Sequence, residues 1–270
     1  MKRQNKLLCF IILLVYSALQ VNAQLTEEEL AKIAQNPLAN IISVPFQNNT
    51  SFGIGPFDRT QNILNIQPVV PFAEGKFIAR VVIPILNQPN VFSETGSFSG
   101  LGDILLSAFY ASKGEKVSWG AGPVFNIPTA KENLGIGEWG FGPSFVAVVK
   151  PSNWVIGALI NNIWSLESDQ SAFLLQPFIN YNLPDGYYFS AAPSITANWK
   201  AATGEKWTIP VGLAFGKVIK PKGFLPFNLQ AGAYYHIEKP EVTGSDWTFR
   251  VAITALIPKA IFHAKKKPEE

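Results

Sequence analysis

The stretch Tyr187-Tyr-Phe-Ser-Ala-Ala-Pro-Ser-Ile-Thr-Ala-Asn-Trp199, with the link Lys200-Ala-Ala-Thr-Gly-Glu-Lys206 and the continuation Trp207-Thr-Ile-Pro-Val-Gly-Leu-Ala-Phe-Gly-Lys-Val218, decides how the chain is read. Phe189, Ala191, Pro193, Ile195, Ala197 and Trp199 share one face, and Ser190, Ala192, Ser194, Thr196 and Asn198 the other. The period of two resumes with Trp207, Ile209, Val211, Leu213 and Phe215 against Thr208, Pro210, Gly212, Ala214 and Gly216. Two long strands joined by a polar link follow from that pattern. A soluble sheet would cover its second face with charge. Here the second face is small and polar but almost uncharged, which fits a membrane barrel with lipid outside and a wet or plugged lumen inside.

Working outward, the same alternation starts near Ile41 and continues to the end. Strands are expected at about Ile41 to Asn49, Thr60 to Phe72, Lys76 to Leu86, Gly102 to Ala111, Val117 to Ile127 and Glu138 to Val149. Six more are expected at about Trp154 to Trp164, Ala172 to Leu183, Tyr187 to Trp199, Trp207 to Val218, Leu225 to Ile237 and Asp246 to Ile257. The prediction is an all-β fold, a twelve-stranded antiparallel transmembrane β-barrel spanning 41-258, with a short N-terminal helix. Tight turns (Ala73-Glu-Gly75, Lys150-Pro-Ser-Asn153, Pro184-Asp-Gly186) alternate with mostly longer links such as Asn87 to Leu101 and Pro128 to Gly137. That asymmetry between rims is typical of outer-membrane barrels.

The tryptophans give a separate check. Trp119, Trp139, Trp154, Trp164, Trp199, Trp207 and Trp247 all fall near expected strand ends and on the face assigned to lipid, where they would form an aromatic girdle. Proline argues the other way. Pro45, Pro68, Pro123, Pro143, Pro177, Pro193 and Pro210, among others, sit inside expected strands, and each removes a ladder donor. Gly122-Pro123 and Gly142-Pro143 are expected to be bulges.

The termini bound the compartment. Met1-Lys-Arg-Gln-Asn-Lys6, the apolar run Leu7 to Tyr16 and Val21-Asn22-Ala23 have the make-up of a secretory signal peptide over 1-23. The only cysteine, Cys9, lies in that run, so the mature chain is expected to hold no disulfide. Removing Lys2, Arg3 and Lys6 from the 22 Lys+Arg leaves 19, equal to the 19 Asp+Glu. A mature chain without net charge disfavours nucleic acid as a partner. Charged residues make up 15% and aromatics 13%, a balance that suits a lipid-facing protein. The expected location is the outer membrane of a Gram-negative bacterium, with export and barrel-assembly machinery as partners during biogenesis. Residues 24-40 are read as a periplasmic helix and lead-in, and 259-270 as a basic tail.

In the lead-in, Thr26 is placed to cap a helix that Asn36-Pro37 ends, with Leu30, Ile33 and Ala34 on one side. It is either an ordered lead-in or a plug seated in the barrel mouth through Leu30 and Ile33.

Quoted together, Gln35-Asn-Pro-Leu-Ala-Asn40, Ser43-Val-Pro-Phe-Gln-Asn-Asn49, Gly55-Pro-Phe-Asp-Arg-Thr-Gln-Asn62, Ile66-Gln-Pro-Val-Val-Pro71, Gly100-Leu-Gly-Asp103 and Ile257-Pro-Lys259 carry a resemblance. The chain is similar to a bacterial family described as outer-membrane transporters or as proteins of the phenol-degradation meta-pathway, some mislabelled neuromedin U. The resemblance covers nearly the whole mature chain. It implies an outer-membrane barrel with a transport role and transfers no functional residues.

Few groups inside the barrel carry chemistry. Arg80, Asp103, Arg250 and His236 are the charge-capable residues expected to line the lumen, among Asn65, Gln67, Asn228, Gln230 and other amides. Turned to lipid at mid-depth, a cation would cost about 2–4 kcal/mol, so these are assigned inward. They either fill the lumen by pairing across it or line and narrow a water path. His236 faces away from lipid and lacks partners at ligand spacing, so neither a catalytic nor a metal role is assigned, and no cofactor is expected. Glu167 and Asp169 are read as a solvated loop or, more sharply, as a divalent-ion site. The function expected is a passive channel or transporter for small solutes, apolar or aromatic ones included. The alternatives are a closed structural or surface-interaction barrel and a barrel enzyme acting on lipid.

Overall fold

The computed structural model describes residues 25–114 and 116–257, so the signal segment and the tail lie outside the described residues. After the helix α1 (Glu27–Ala34) come twelve antiparallel strands. They are β1 (Ile42–Ile54), β2 (Arg59–Ile66, then Val69–Phe72), β3 (Phe77–Pro89), β4 (Ser97–Leu101, then Ile104–Lys113), β5 (Val117–Ile127) and β6 (Gly140–Val149). The second half holds β7 (Trp154–Ser165), β8 (Ser171–Asn182), β9 (Tyr187–Ala191, then Ile195–Asn198), β10 (Trp207–Ile219), β11 (Phe227–Glu238) and β12 (Trp247–Ile257). The sheet closes because β1 pairs with both β2 and β12, the latter from Ile42↔Ile257 to Phe52↔Trp247. Closure removes every sheet edge, as a barrel in lipid requires.

The period-two pattern becomes a two-sided wall. Along β12, Trp247, Phe249, Val251 and Ile253 are exposed while Thr248, Arg250, Ala252 and Thr254 are buried. Outward aromatic rings gather near the two rims: Phe77, Tyr110, Trp119 and Phe145 toward the short turns, and Phe52, Phe249, Trp247 and Tyr235 toward the long loops. Trp199 also donates its indole N–H to Asn162 Oδ1 at 2.7 Å, so the polar end of the ring has a partner on the outer wall.

Two strands run further than the sequence pattern indicates. β1 continues to Ile54 and β3 to Pro89. Past Asn49 the alternation fades into Thr50-Ser51, but the ladder to β12 continues and Phe52 packs edge-on against Phe249. Cross-strand pairing there outweighs local pattern.

The prolines are accommodated by breaks rather than bulges. Pro123 stands opposite Pro143 in the β5–β6 ladder, which is unshifted there. In a non-hydrogen-bonded pair, both missing N–H groups point away from each other, toward β4 and β7. Those are the seams where rungs are absent: with register unchanged, the β4–β5 ladder skips from Ser107↔Val124 to Tyr110↔Ala121, and β6–β7 from Phe141↔Trp164 to Ser144↔Asn161. The glycines serve close approach. A Cβ on Gly122 would lie 1.8 Å from Ala108 O, and one on Gly142 1.7 Å from Asn162 O. The expected bulges are therefore replaced by two missing rungs at one height, beneath a shallow depression in the outer wall. A register shift does accompany Pro210, between Ile209 and Pro210.

Three strands are interrupted outright, at Gln67-Pro68, Gly102-Asp103 and Ala192-Pro193-Ser194. Each interruption supplies a polar group to the lumen.

Candidate functional site in the barrel lumen

α1 and the segment after it lie at the short-turn rim and reach into the lumen. Thr26 forms a capping box: its Oγ1 accepts from Glu29 N at 3.1 Å and its N–H donates to Glu29 Oε2 at 2.8 Å. Glu28 Oε1 accepts from Asp185 N at 2.8 Å, Glu27 Oε1 from Lys220 N at 3.0 Å, and Lys220 Nζ donates to Leu25 O at 2.8 Å. These bonds pin the acidic first turn to the β8–β9 and β10–β11 turns. Gln35 and Asn182 exchange side-chain hydrogen bonds at 2.9 and 3.1 Å. Leu30, fully buried, packs with Ile41, Val218 and Leu256. Ile33 packs against the edge of this cluster and lines a cavity.

Past the helix, Leu38 is only 2% exposed and sits among Ile78, Phe109, Val146, Val148, Val155, Leu159 and Phe178, an apolar cluster inside the barrel. The sequence reading did not single out Leu38. Its signal was present, since Asn36 Oδ1 accepts from Leu38 N at 3.0 Å in an Asx turn that bends the chain inward.

Above this cluster lies a cavity of about 230 Å³ lined by Ile33, Ile41, Val69, Phe109, Phe178 and Arg80, with Gln35, Asn36 and Gln176 among its polar groups. Arg80 Nη2 donates to Gln67 Oε1 at 2.7 Å, in the interruption of β2. A second cavity of about 390 Å³ stacks on the first, because the next inward residues of β3 (Val82, Pro84 and Leu86) line it with Asn65, Asp103 and Leu134. The two cavities follow the barrel axis.

The second cavity is roofed from the long-loop rim. Asp103 Oδ1 accepts from Ala130 N at 3.1 Å, and its Oδ2 from Ile136 N at 2.8 Å and Gly137 N at 3.0 Å. The β5–β6 loop is thereby folded inward, with Leu134 buried beneath it. Glu138 Oε2 accepts from Ser165 Oγ and Ser168 Oγ, both at 2.5 Å, tying that loop to the β7–β8 loop. These hydroxyls, that of Ser165 first, hold the Glu138 carboxyl below the usual carboxylate range.

The other expected lumenal residues spread around the wall. Arg250, 7% exposed, donates Nε–H to Asn49 Oδ1 and Nη1–H to Ala192 O, both at 2.9 Å, with its guanidinium 4.6 Å from the Tyr234 ring centroid. Tyr234 is buried, and its hydroxyl has no hydrogen-bond partner among the described residues. Asn228 Oδ1 accepts from the buried Tyr188 hydroxyl at 2.8 Å, and Gln230 follows on the same face of β11. Tyr188 and Tyr234 are not in the expected lining set, although their even parity, shared with Ser190 and His236, places them inside. His236 Nδ1 pairs with Ser245 Oγ at 3.0 Å and Nε2 with Thr248 Oγ1 at 3.2 Å. Among the described residues both imidazole nitrogens face hydroxyls and no carboxylate bonds to the ring, so the serine–histidine pair lacks the third member of a nucleophilic relay. Asp169 pairs with Lys200 at 2.7 Å on the surface.

A closed antiparallel sheet with an apolar outside and a polar, partly filled inside defines a membrane-spanning β-barrel. The sequence profile of the family described as putative MetA-pathway of phenol degradation matches residues 53–216, and the chain belongs to that family. Solved structures share the fold at low identity. An outer membrane channel from Pseudomonas putida F1 is 16% identical with a TM-score of 0.59, over 80% of this chain and 94% of that one. The NanC porin is 9% identical with a TM-score of 0.56 over 79% and 98%, and the KdgM porin 10% with 0.50 over 79% and 98%. No curated protein sequence matches the chain.

Proposed function

We propose that the protein is a passive outer-membrane channel for small solutes, apolar and aromatic ones included, closed at rest by the α1 segment and by the inward β5–β6 loop. One observation carries the reading: two stacked cavities with mostly apolar walls occupy the lumen between these closures. A lumen built only to be filled would pack side chains there instead. The family and the barrel fold support the outer-membrane setting, in which short turns face the periplasm and α1 closes the periplasmic mouth. The expected partners are lipid, the solute, and the export and assembly machinery. No enzymatic role is assigned.

A closed structural or surface-interaction barrel is the second reading, favoured by the burial of both Leu38 and Leu134. Stopped-flow influx of phenol into vesicles with a lipopolysaccharide outer leaflet, together with planar-bilayer conductance, separates the two. The channel accelerates phenol entry and conducts. A barrel that does neither, even without residues 25–35, is structural.

A further inference from the structure

We propose that the inner cavity is a binding site for a small organic carboxylate, its apolar body between Phe109 and Phe178 and its anionic head on the Arg80 guanidinium. The inference rests on the lumen being a solute path and names the solute that the inner half selects.

Arg80 is the origin of the argument. It lines the cavity yet, among the described residues, makes one side-chain hydrogen bond, to the neutral Gln67, and no ion pair. A guanidinium has five N–H donors and no acceptor. The nearby cation differs: Arg250 is committed to Asn49, Ala192 and the Tyr234 face, and Ala192 lines the same cavity, so a second positive charge stands close behind the wall. Among the described residues no carboxylate lines the cavity. On α1, Glu27 and Glu28 are turned onto the Lys220 and Asp185 backbone amides.

An unneutralised cation in an apolar enclosure favours an anion over any neutral acceptor, and a carboxylate matches the guanidinium fork with two parallel hydrogen bonds. The size is limiting as well. A cavity of about 230 Å³ has room for one ring or short chain. Gln35, Asn36, Ser43 and Gln176 supply the rest of the polar lining.

The test uses the full mature chain in nanodiscs at neutral pH, titrated calorimetrically with sodium benzoate, benzyl alcohol and benzamidine hydrochloride. These share a ring and differ in charge. Benzoate is expected to bind about tenfold or more tighter than benzyl alcohol, with benzamidine weakest. Arg80→Gln should lower benzoate affinity to that of benzyl alcohol and leave the alcohol unchanged. Benzyl alcohol or benzamidine binding as tightly as benzoate to the wild-type barrel overturns the proposal, a comparison that needs no variant. Unchanged benzoate affinity in a folded Arg80→Gln barrel overturns it too. Conductance of the same preparation keeps the two readings apart. A barrel that binds benzoate through Arg80 but passes no current refutes the channel and upholds the site. One that conducts and ignores benzoate refutes only the site.

Discussion

Arg250 reaches past two strands, from β12 to β9, and donates Nη1–H to the backbone carbonyl of Ala192 at 2.9 Å. That carbonyl is free because β9 parts from β10 between Ser190↔Ala214 and Thr196↔Thr208, where Pro193 interrupts the strand. The arginine therefore satisfies a backbone group that the proline released. Hydrogen bonds from charged donors are worth about 1.5–3 kcal/mol each, while losing the buried charge offsets part of that. Arg250→Ala should destabilise the barrel by about 2 kcal/mol net. The check is the temperature at which the fast-migrating folded band disappears on unboiled gels. A band as heat-resistant as the wild type's would show that the bond to Ala192 contributes nothing.

Deleting Leu25 to Gln35 removes α1 and its bonds to Asp185, Lys220 and Asn182. Single-channel conductance should rise while the barrel stays folded, since a helix about 10 Å across leaves the mouth. Leu38 remains, so a further rise is expected on Leu38→Ala in the deletion background. Unchanged conductance in both would reduce the segment to a lead-in.

Asp103→Ala takes three acceptor contacts from the β5–β6 loop at once. Hydrogen exchange at Ile136 and Gly137 should accelerate by about tenfold or more, for each lost bond to a carboxylate is worth about 1.5–3 kcal/mol. Protection that persists at these amides would mean that Leu134 burial alone holds the loop.

Glu138 gives the loop a pH dependence. Its carboxyl is held below the ordinary value of 4.5 by the Ser165 and Ser168 hydroxyls, so its stabilising contribution is complete above that value and is lost as pH falls through the lowered one. Loop-related current flicker should be absent at neutral pH and appear only in strong acid. Ser165→Ala with Ser168→Ala should bring it to neutral pH. Equal flicker at neutral and acid pH in the unaltered barrel would remove Glu138 from the latch.

Gly142→Ala and Gly137→Ala separate close approach from backbone strain. The first places a methyl 1.7 Å from Asn162 O and should largely abolish folded yield. The second has open space and a φ of +69°, and should cost only about 1 kcal/mol. Refolding yield into detergent reads both, and equal yields would contradict the close packing of β6 on β7.

The twelve strands were legible because the alternation of a lipid-facing wall is a local signal, repeated wherever lipid lies outside. What escaped depended on partners distant in sequence. Nothing local in Ala192 marks it as the acceptor for Arg250. Proline at 123 reads as a bulge until its partner, Pro143, is known to carry the same defect. Leu38 and Leu134 sit in links, where an isolated leucine carries no period to read; both enter the lumen because an Asx turn in one case and Asp103 in the other redirect the backbone. Asp103, Arg80 and Arg250 were readable as inward from parity alone, but not their division of labour.

The seat of α1 also sets an order in time. The segment is synthesised before any strand, yet Leu30 rests on Val218 and Leu256, and Glu28 on the turn at Asp185. None of that surface exists until the last strands have been made and β12 has met β1. This early segment must therefore wait, unseated, through the whole of barrel assembly, and its docking reports that the cylinder has closed.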